Sequence, residues 1–508
     1  MKLLLILFFI VLPSYMNAQP RNRIKPRKPD TSKLNQIIPD SSLNPVITHH
    51  SIVVDGKTLN YTATTGYLKM KDDLGKLKAY IFFIAYTKDG VSPDSRPVTF
   101  AFNGGPGSSS IWLHMGALGP ERVVLNDKGR APAPPYHLET NQNTWLDQTD
   151  LVFIDPVSSG YSRAAPGQNA DQFHGYNEDI ASVGAFIRLW TTKYERWGSP
   201  KFILGESYGT TRAAGLAGYM QQRYSMYLNG IILISSVLNF QTISFTPGNE
   251  WPYIFFLPSY ATTAWYYKKL SPEMESKTVE QVAGEAEAFA GGAYATALLE
   301  GDQLPGPERD SIAEEIHHFT SLPVDYIKKS NLRIQDHRFF KRLLYSEGKL
   351  IGRYDSRFSG DDIDDVGEYP HYDPSDVNLS GVFTATFNEY VRKDLKYKND
   401  LVYEPLADVW PWDYRNVENR FLDVSETLHQ AMVTNPYLHI WVVCGYFDLA
   451  TPFFNAEYVV RHMGMKPDQQ KRLQITYYKA GHMVYISKST ITKLHGDAVN
   501  FFNQVLKQ

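Results

Sequence analysis

The sequence has a single cysteine, Cys444, in 508 residues, so no internal disulfide can form and stability must come from packing alone. Cys444 closes the apolar run Ile440-Trp441-Val442-Val443 and reads as a buried strand residue rather than a nucleophile. An excess of one charge is also missing. The 51 basic and 54 acidic side chains leave a net of −3, so nothing electrostatic favours nucleic acid as a partner. No glycine period or short tandem repeat occurs, which excludes collagen, solenoids and propellers. Beyond the first residues no stretch offers the roughly eighteen uncharged apolar residues of a bilayer-crossing helix, and no membrane span is expected in the mature chain. Apolar material, by contrast, is plentiful. A hydrophobic fraction of 43% and an aromatic fraction of 14% exclude a disordered chain.

The N-terminus reads as an address. Lys2 precedes the apolar run Leu3 to Leu12, then Pro13, and a small residue, Ala18, stands at the expected cut. This pattern predicts a signal peptide over 1–18, and hence export to a periplasmic or extracellular space. Residues 19–45 follow as a basic linker with Pro20, Pro26 and Pro29 and no hydrophobic period. An exported chain with so little cysteine points to a bacterial source.

From about residue 50 the texture is that of strands. Ser51 to Ala63 and Leu77 to Tyr86 are rich in β-branched and aromatic residues and predict antiparallel strands, with Gly66 and Asp72-Asp73 between them. Short runs apolar on both faces come next: Val98 to Phe102, Leu151 to Ile154, Phe202 to Leu204, Gly230 to Ile234 and Ile440 to Val443. Such strands belong to parallel sheets covered by helices on each side. Between them Asp179 to Trp190 carries an apolar helical stripe, with Asn177 or a neighbour available as its cap. The alternation predicts a doubly wound, mostly parallel α/β sheet. Its first part covers 46–240 and its second 431–508. The intervening 241–430 break the pattern and predict a mostly helical insertion, clearest at Glu280 to Leu299 and Pro307 to Thr320, that caps the carboxyl ends of the strands.

The chemistry gathers at strand ends. Gly205-Glu206-Ser207-Tyr208-Gly209 follows Lys201 to Leu204 directly and precedes a small-residue run that can open a helix. Alone the pattern is weak; in that context it predicts a nucleophile elbow. The turn holds Ser207 under strain, and the glycines remove side chains that would collide with backbone. A serine hydroxyl needs a base and an acid to orient it, and the α/β-hydrolase fold supplies them in the order Ser, Asp or Glu, His. Asp448 follows the strand Ile440 to Val443, and His482 follows Ile475 to Tyr478. Upstream, Asn103-Gly104-Gly105-Pro106-Gly107 also closes a strand. It assigns oxyanion donors to the backbone N–H groups of Gly105 and Tyr208. A phosphate-binding loop would need a lysine followed by serine or threonine, which this one lacks.

Taken together, Asn-Gly-Gly-Pro-Gly followed by serines, Gly-Glu-Ser-Tyr-Gly, Ile154-Asp155-Pro156-Val157 with Gly160-Tyr161-Ser162, and Gly481-His482-Met483 resemble the serine carboxypeptidase family, the relatives of carboxypeptidase Y. The resemblance spans roughly residues 75 to 240 and 435 to 505. It implies a peptide substrate, removal of single amino acids from the C-terminus, and binding of the terminal carboxylate by Asn103 and a protonated Glu206. Two departures stand out. Where the family places a second glutamate before Leu-Gly-Pro, this chain has Ala117, and where eukaryotic members carry a cysteine in the glycine loop it has Ser108.

Other constellations carry no chemistry. His49-His50 and His317-His318 are adjacent pairs that cannot face one metal, and Asp361 to Asp365 lack calcium-loop spacing and read as a solvated acidic loop. No cofactor and no metal are expected. Two further functions remain open: an esterase or acyltransferase on the same triad, and an inactive binding protein on a hydrolase fold.

Overall fold

The structure, a computed structural model, describes Ile38 and residues 43–507. The expected signal peptide, 1–18, and nearly all of the linker, 19–45, lie outside the described residues. Strand β1 (Val46–Val54) turns at Asp55-Gly56 into β2 (Lys57–Lys71). Asp55 and Gly56 both have positive φ, 48° and 73°, the two-residue hairpin turn whose twist matches its strands. Sequence alone joins Ser51 to Ala63 as one strand and puts Gly66 in a connection, and the structure corrects both. The Asp-Gly pair divides the first. Gly66 lies inside β2, where a β-carbon would fall 2.8 Å from Pro45 Cα.

The chain continues through β3 (Leu77–Lys88), β4 (Val98–Phe102), β5 (Asp150–Ile154), the short β6 (Arg163–Ala164), β7 (Lys201–Glu206), β8 (Gly230–Ile234), β9 (His439–Gly445) and β10 (Leu473–Tyr478). The sheet runs β1-β2-β3-β5-β4-β7-β8-β9-β10, with β6 beside β3. Strands β1 to β3 pair antiparallel, and β5 to β10 along that order are parallel. All the parallel strands therefore deliver their carboxyl ends to one rim.

Alternation along each strand feeds two cores. On β8, Ile231 and Leu233 face helices α1 (Tyr176–Lys193) and α2 (Tyr208–Tyr224), while Ile232 and Ile234 face the opposite layer. The α1 stripe of Ile180, Val183, Phe186, Ile187 and Trp190 matches the expected one, but Gly175, not Asn177, stands at its N-cap. Asn177 falls inside the first turn.

Residues 241–430 divide into two kinds of structure. Helices α3 (Trp251–Tyr266), α4 (Val279–Phe289) and α5 (Gly306–Thr320) surround an apolar cluster of their own, with Tyr260 stacked on Phe339 at 4.1 Å. Helix α6 (Pro374–Lys393) instead puts Leu379, Val382, Phe383 and Phe387 against the sheet, in the layer that also holds α7 (Lys488–Leu506). Helix α7 contributes Ile491, Leu494, Ala498, Phe501, Phe502 and Val505 at helical spacing, and each large one adds about 2 kcal/mol when fully buried. After α6 the chain returns to the sheet's rim as an extended strap. Among the described residues no helix is long and apolar enough to cross a membrane.

The acidic loop differs from expectation in one respect. Asp362 turns inward to the Lys341 ammonium and His371 Nδ1, its side chain only 2% exposed. Its neighbours Asp361, Asp364 and Asp365 are exposed.

Candidate active site

Glu206 is the last residue of β7 and Ser207 the N-cap of α2, so strand passes to helix within one residue. Ser207 pays for that turn with φ 60° and ψ −130°, a conformation that non-glycine residues rarely adopt. Its amide donates to Ile234 O at 3.0 Å, fixing the turn to β8. The flanking glycines have no alternative. A β-carbon on Gly205 would lie 2.1 Å from Gly209 O, and one on Gly209 would lie 2.9 Å from Phe102 O.

Two strands further along the rim, the β9 and β10 loops bring the acid and the imidazole together. Asp448 Oδ2 accepts from His482 Nδ1 at 2.8 Å, with side chains 0% and 3% exposed. Asp448 Oδ1 accepts the amides of Ala450 and Thr451 at 2.8 and 3.0 Å. Thr451 Oγ1 lies 2.8 Å from Asp448 Oδ2 and 3.2 Å from His482 Nδ1. Burial opposes charge on His482, but the Asp448 carboxylate outweighs it and holds the imidazole above its ordinary value. Ser235, the residue after β8, donates from Oγ to His482 O at 2.6 Å and so ties the imidazole loop to the middle of the rim. Ser207 Oγ forms no hydrogen bond with His482 among the described residues.

The glycine loop meets α2 from the other side. A β-carbon on Gly104 would fall 2.4 Å from the Tyr208 amide nitrogen, so only glycine leaves that donor clear. Gly105 adopts φ +99°, and a β-carbon there would meet the amides of Gly107 and Ser108 at 2.8 Å. Neither the Gly105 nor the Tyr208 N–H donates to a protein acceptor among the described residues. As the first residue of α2, Tyr208 also offers the positive end of the helix dipole.

Asn103 and Glu206 are brought together as well. Asn103 Nδ2 donates to Glu206 Oε1 at 2.8 Å, and Asn103 Oδ1 accepts from Leu113 N at 3.2 Å. Burial pushes the Glu206 carboxyl up to about 7, against the pull of His482 nearby. Behind them Arg212 donates to Asn103 O at 2.7 Å and to Asp179 Oδ2 at 2.8 Å, a fully buried ion pair that anchors the loop to α1 and α2. Asp155 does similar work nearby. Its Oδ1 accepts from Ser110 N and Ser110 Oγ, both at 2.9 Å, and a β-carbon on Gly160 would fall 1.8 Å from its Oδ2. The Asp-Pro-Val and Gly-Tyr-Ser motifs are therefore a brace for the glycine loop. The strap completes it: Ser109 N donates to Pro405 O, Ala407 N to Gly107 O, and Gly160 N to Glu404 O.

Sequence reasoning missed several residues here. Thr451 carries a local signal, because an aspartate followed three residues later by threonine commonly forms such a turn. Tyr354, whose ring lies 5.3 Å from the His482 ring and whose carbonyl accepts from His482 N, carries none. Ala117 is buried in the segment 114–118, with its carbonyl accepting from Asn141 Nδ2 at 2.8 Å. Cys444 is a buried free thiol in β9.

Serine carboxypeptidase-like 33 of Arabidopsis thaliana is 29% identical over 191 residues, covering 37% of this chain and 34% of that protein. A carboxypeptidase Y homolog of Arthroderma benhamiae is 33% identical over 153 residues, covering 29% of this chain and 27% of that protein. The chain thus matches about a third of the length of these curated relatives. The crystal structure of Kex1(Δ)p, a prohormone-processing carboxypeptidase from Saccharomyces cerevisiae, superposes with a TM-score of 0.50 at 16% identity, covering 92% of this chain and 93% of that one. That likeness shows the α/β-hydrolase fold. The model of the serine carboxypeptidase family matches residues 54–495, which take in β2 to β10, the strap and every motif above, and the chain belongs to that family.

Proposed function

We propose that this protein is a serine carboxypeptidase in which Ser207, His482 and Asp448 act as a triad. With a peptide bound, His482 Nε2 takes the Ser207 proton as Oγ bonds to the scissile carbonyl carbon. The Gly105 and Tyr208 amides receive the developing oxyanion, each donor contributing about 3 to 4 kcal/mol to the barrier reduction. The C–N bond then breaks, His482 returns the proton to the leaving amine, and water attacks the acyl-enzyme through the same base. Asp448 holds Nδ1–H, so that Nε2 is the free base, and stabilises the imidazolium.

The observation that carries the reading is the Asn103–Glu206 pair, one residue from Ser207. A carboxyl kept near neutrality by burial can donate to an anionic oxygen, whereas an ionised one would repel it. The ligand this arrangement suits is a terminal carboxylate. Binding it there puts the last peptide bond of the substrate beside Ser207. An esterase or acyltransferase would use the same triad, and Ala117 in place of a second acid is the feature that favours that alternative. The signal-peptide pattern read in residues 1–18 and the near absence of cysteine favour an exported bacterial enzyme, periplasmic or extracellular.

The test is product analysis by mass spectrometry on a peptide and on its C-terminal amide. Single residues should leave the free acid from the C-terminus, with the amide cut far more slowly. Equal rates on both, or internal cuts, would replace this reading with the esterase or an endopeptidase.

A further inference from the structure

Two polar atoms at this site have no partner. Glu206 Oε2 and the Tyr485 hydroxyl are both shielded from solvent, and neither makes a hydrogen bond among the described residues. They are neighbours, for the Tyr485 hydroxyl faces the Glu206 carboxyl and the Asn103 side chain. Buried hydroxyls and carboxyls are almost always satisfied, so a facing pair left open calls for an explanation.

The surrounding contacts fix both groups in place. Glu206 Oε1 is occupied by Asn103 Nδ2, and Asn103 Oδ1 by Leu113 N. Tyr485 is 0% exposed, and its ring lies so close over Gly116 that a β-carbon there would fall 2.7 Å from Cε2. The hydroxyl therefore cannot swing to another acceptor. Tyr485 sits three residues after His482, in the connection between β10 and α7, so one loop delivers both the imidazole and this phenol to the rim. Burial also raises the phenol well above its ordinary value and keeps it a proton donor across the working range of pH. What would satisfy the site is a ligand atom able to accept from a phenol and from a protonated carboxyl at once.

We propose that Tyr485 is a substrate-binding residue whose hydroxyl donates a hydrogen bond to the terminal carboxylate of a peptide, alongside Asn103 and Glu206. This rests on the carboxypeptidase reading and adds a third donor to it, contributed by the histidine loop rather than by the glycine loop or the elbow.

The experiment compares the unmodified enzyme with Tyr485→Phe, which keeps the ring on Gly116 and removes only the hydroxyl. Three substrates are used: an N-acyl dipeptide, its C-terminal amide, and p-nitrophenyl acetate, which has no carboxylate. A hydrogen bond to a charged group predicts a loss of about tenfold to a hundredfold in kcat/KM on the dipeptide, mostly in KM. Hydrolysis of p-nitrophenyl acetate should stay within about twofold of the unmodified enzyme, as expected when only a substrate-binding contact is lost. If the unmodified enzyme fails to distinguish the dipeptide from its amide, the carboxypeptidase reading falls and this assignment with it. If it does distinguish them and Tyr485→Phe preserves the distinction, the Tyr485 assignment alone is overturned. An equal loss on all three substrates would make the hydroxyl structural and would also overturn it.

Discussion

His482 Nδ1 and Asp448 Oδ2 stand 2.8 Å apart although the two residues are 34 positions apart in the chain, and both side chains are buried. Their loops leave adjacent parallel strands, so the pairing is a product of sheet order rather than of local sequence. Thr451 Oγ1 borders both polar atoms and also lies 3.0 Å from Ser235 O, linking the acid loop to β8.

Thr451→Val keeps the shape of that side chain and removes the hydroxyl. The Asp448 carboxylate retains the Ala450 and Thr451 amides, so the fold should hold. The expected outcome is a fall of about tenfold in kcat with KM unchanged, the pattern for loss of an interaction that matters in the transition state. Steady-state kinetics on one peptide checks it.

The two titrating groups set a narrow pH window. On the proposed triad His482 must be neutral to act as base, and Asp448 holds it above its ordinary 6.5, so kcat/KM on a free-acid peptide should fall toward low pH. Glu206 must be protonated to receive a carboxylate, and burial puts it at about 7, so kcat/KM should also fall as pH rises past that value. Glu206→Gln stays neutral throughout. It should lose the alkaline limb and keep the acidic one, and p-nitrophenyl acetate, lacking a carboxylate, should show no alkaline limb near 7 even with the unmodified enzyme.

Strain at the elbow has a thermodynamic signature. Glycine adopts φ 60°, ψ −130° without the penalty that a β-carbon incurs there. Ser207→Gly should therefore be more stable than Ser207→Ala by about 1 kcal/mol, after allowance for glycine's extra unfolded-state entropy. Both variants should be inactive. Thermal denaturation of the two side by side is the check, and a lower melting temperature for the glycine variant would contradict the strain.

Gly104→Ala places a methyl group against the Tyr208 amide, 2.4 Å from its nitrogen in the unrelaxed structure. Loss or displacement of that donor should cost about a hundredfold or more in kcat. Circular dichroism on the same sample separates this effect from misfolding.

The parts of the fold that sequence revealed are those with a local signature. Both-face apolar runs located β4, β5, β7, β8 and β9, and glycines at strand ends located the strand-to-helix turn at Ser207 and the loop Asn103–Gly107. The Asp55-Gly56 turn was also written in the chain, yet the β-rich texture on both sides hid it. Residues brought in by tertiary structure left no such mark. Tyr354 reaches His482 from within 241–430, and Tyr485 lies on Gly116 across the core. Within 241–430 the apolar face of α6 meets the sheet while α3, α4 and α5 meet one another, a difference of partner that periodicity cannot express.

The central claim is that His482 activates Ser207 although no hydrogen bond joins them among the described residues. Labelling with a fluorophosphonate, followed by intact-protein mass spectrometry, tests it in one experiment. A single adduct on Ser207 is expected, absent in Ser207→Ala and formed at least about a thousandfold more slowly in His482→Ala. Labelling of His482→Ala at the unmodified rate, or an adduct that persists in Ser207→Ala, would contradict it.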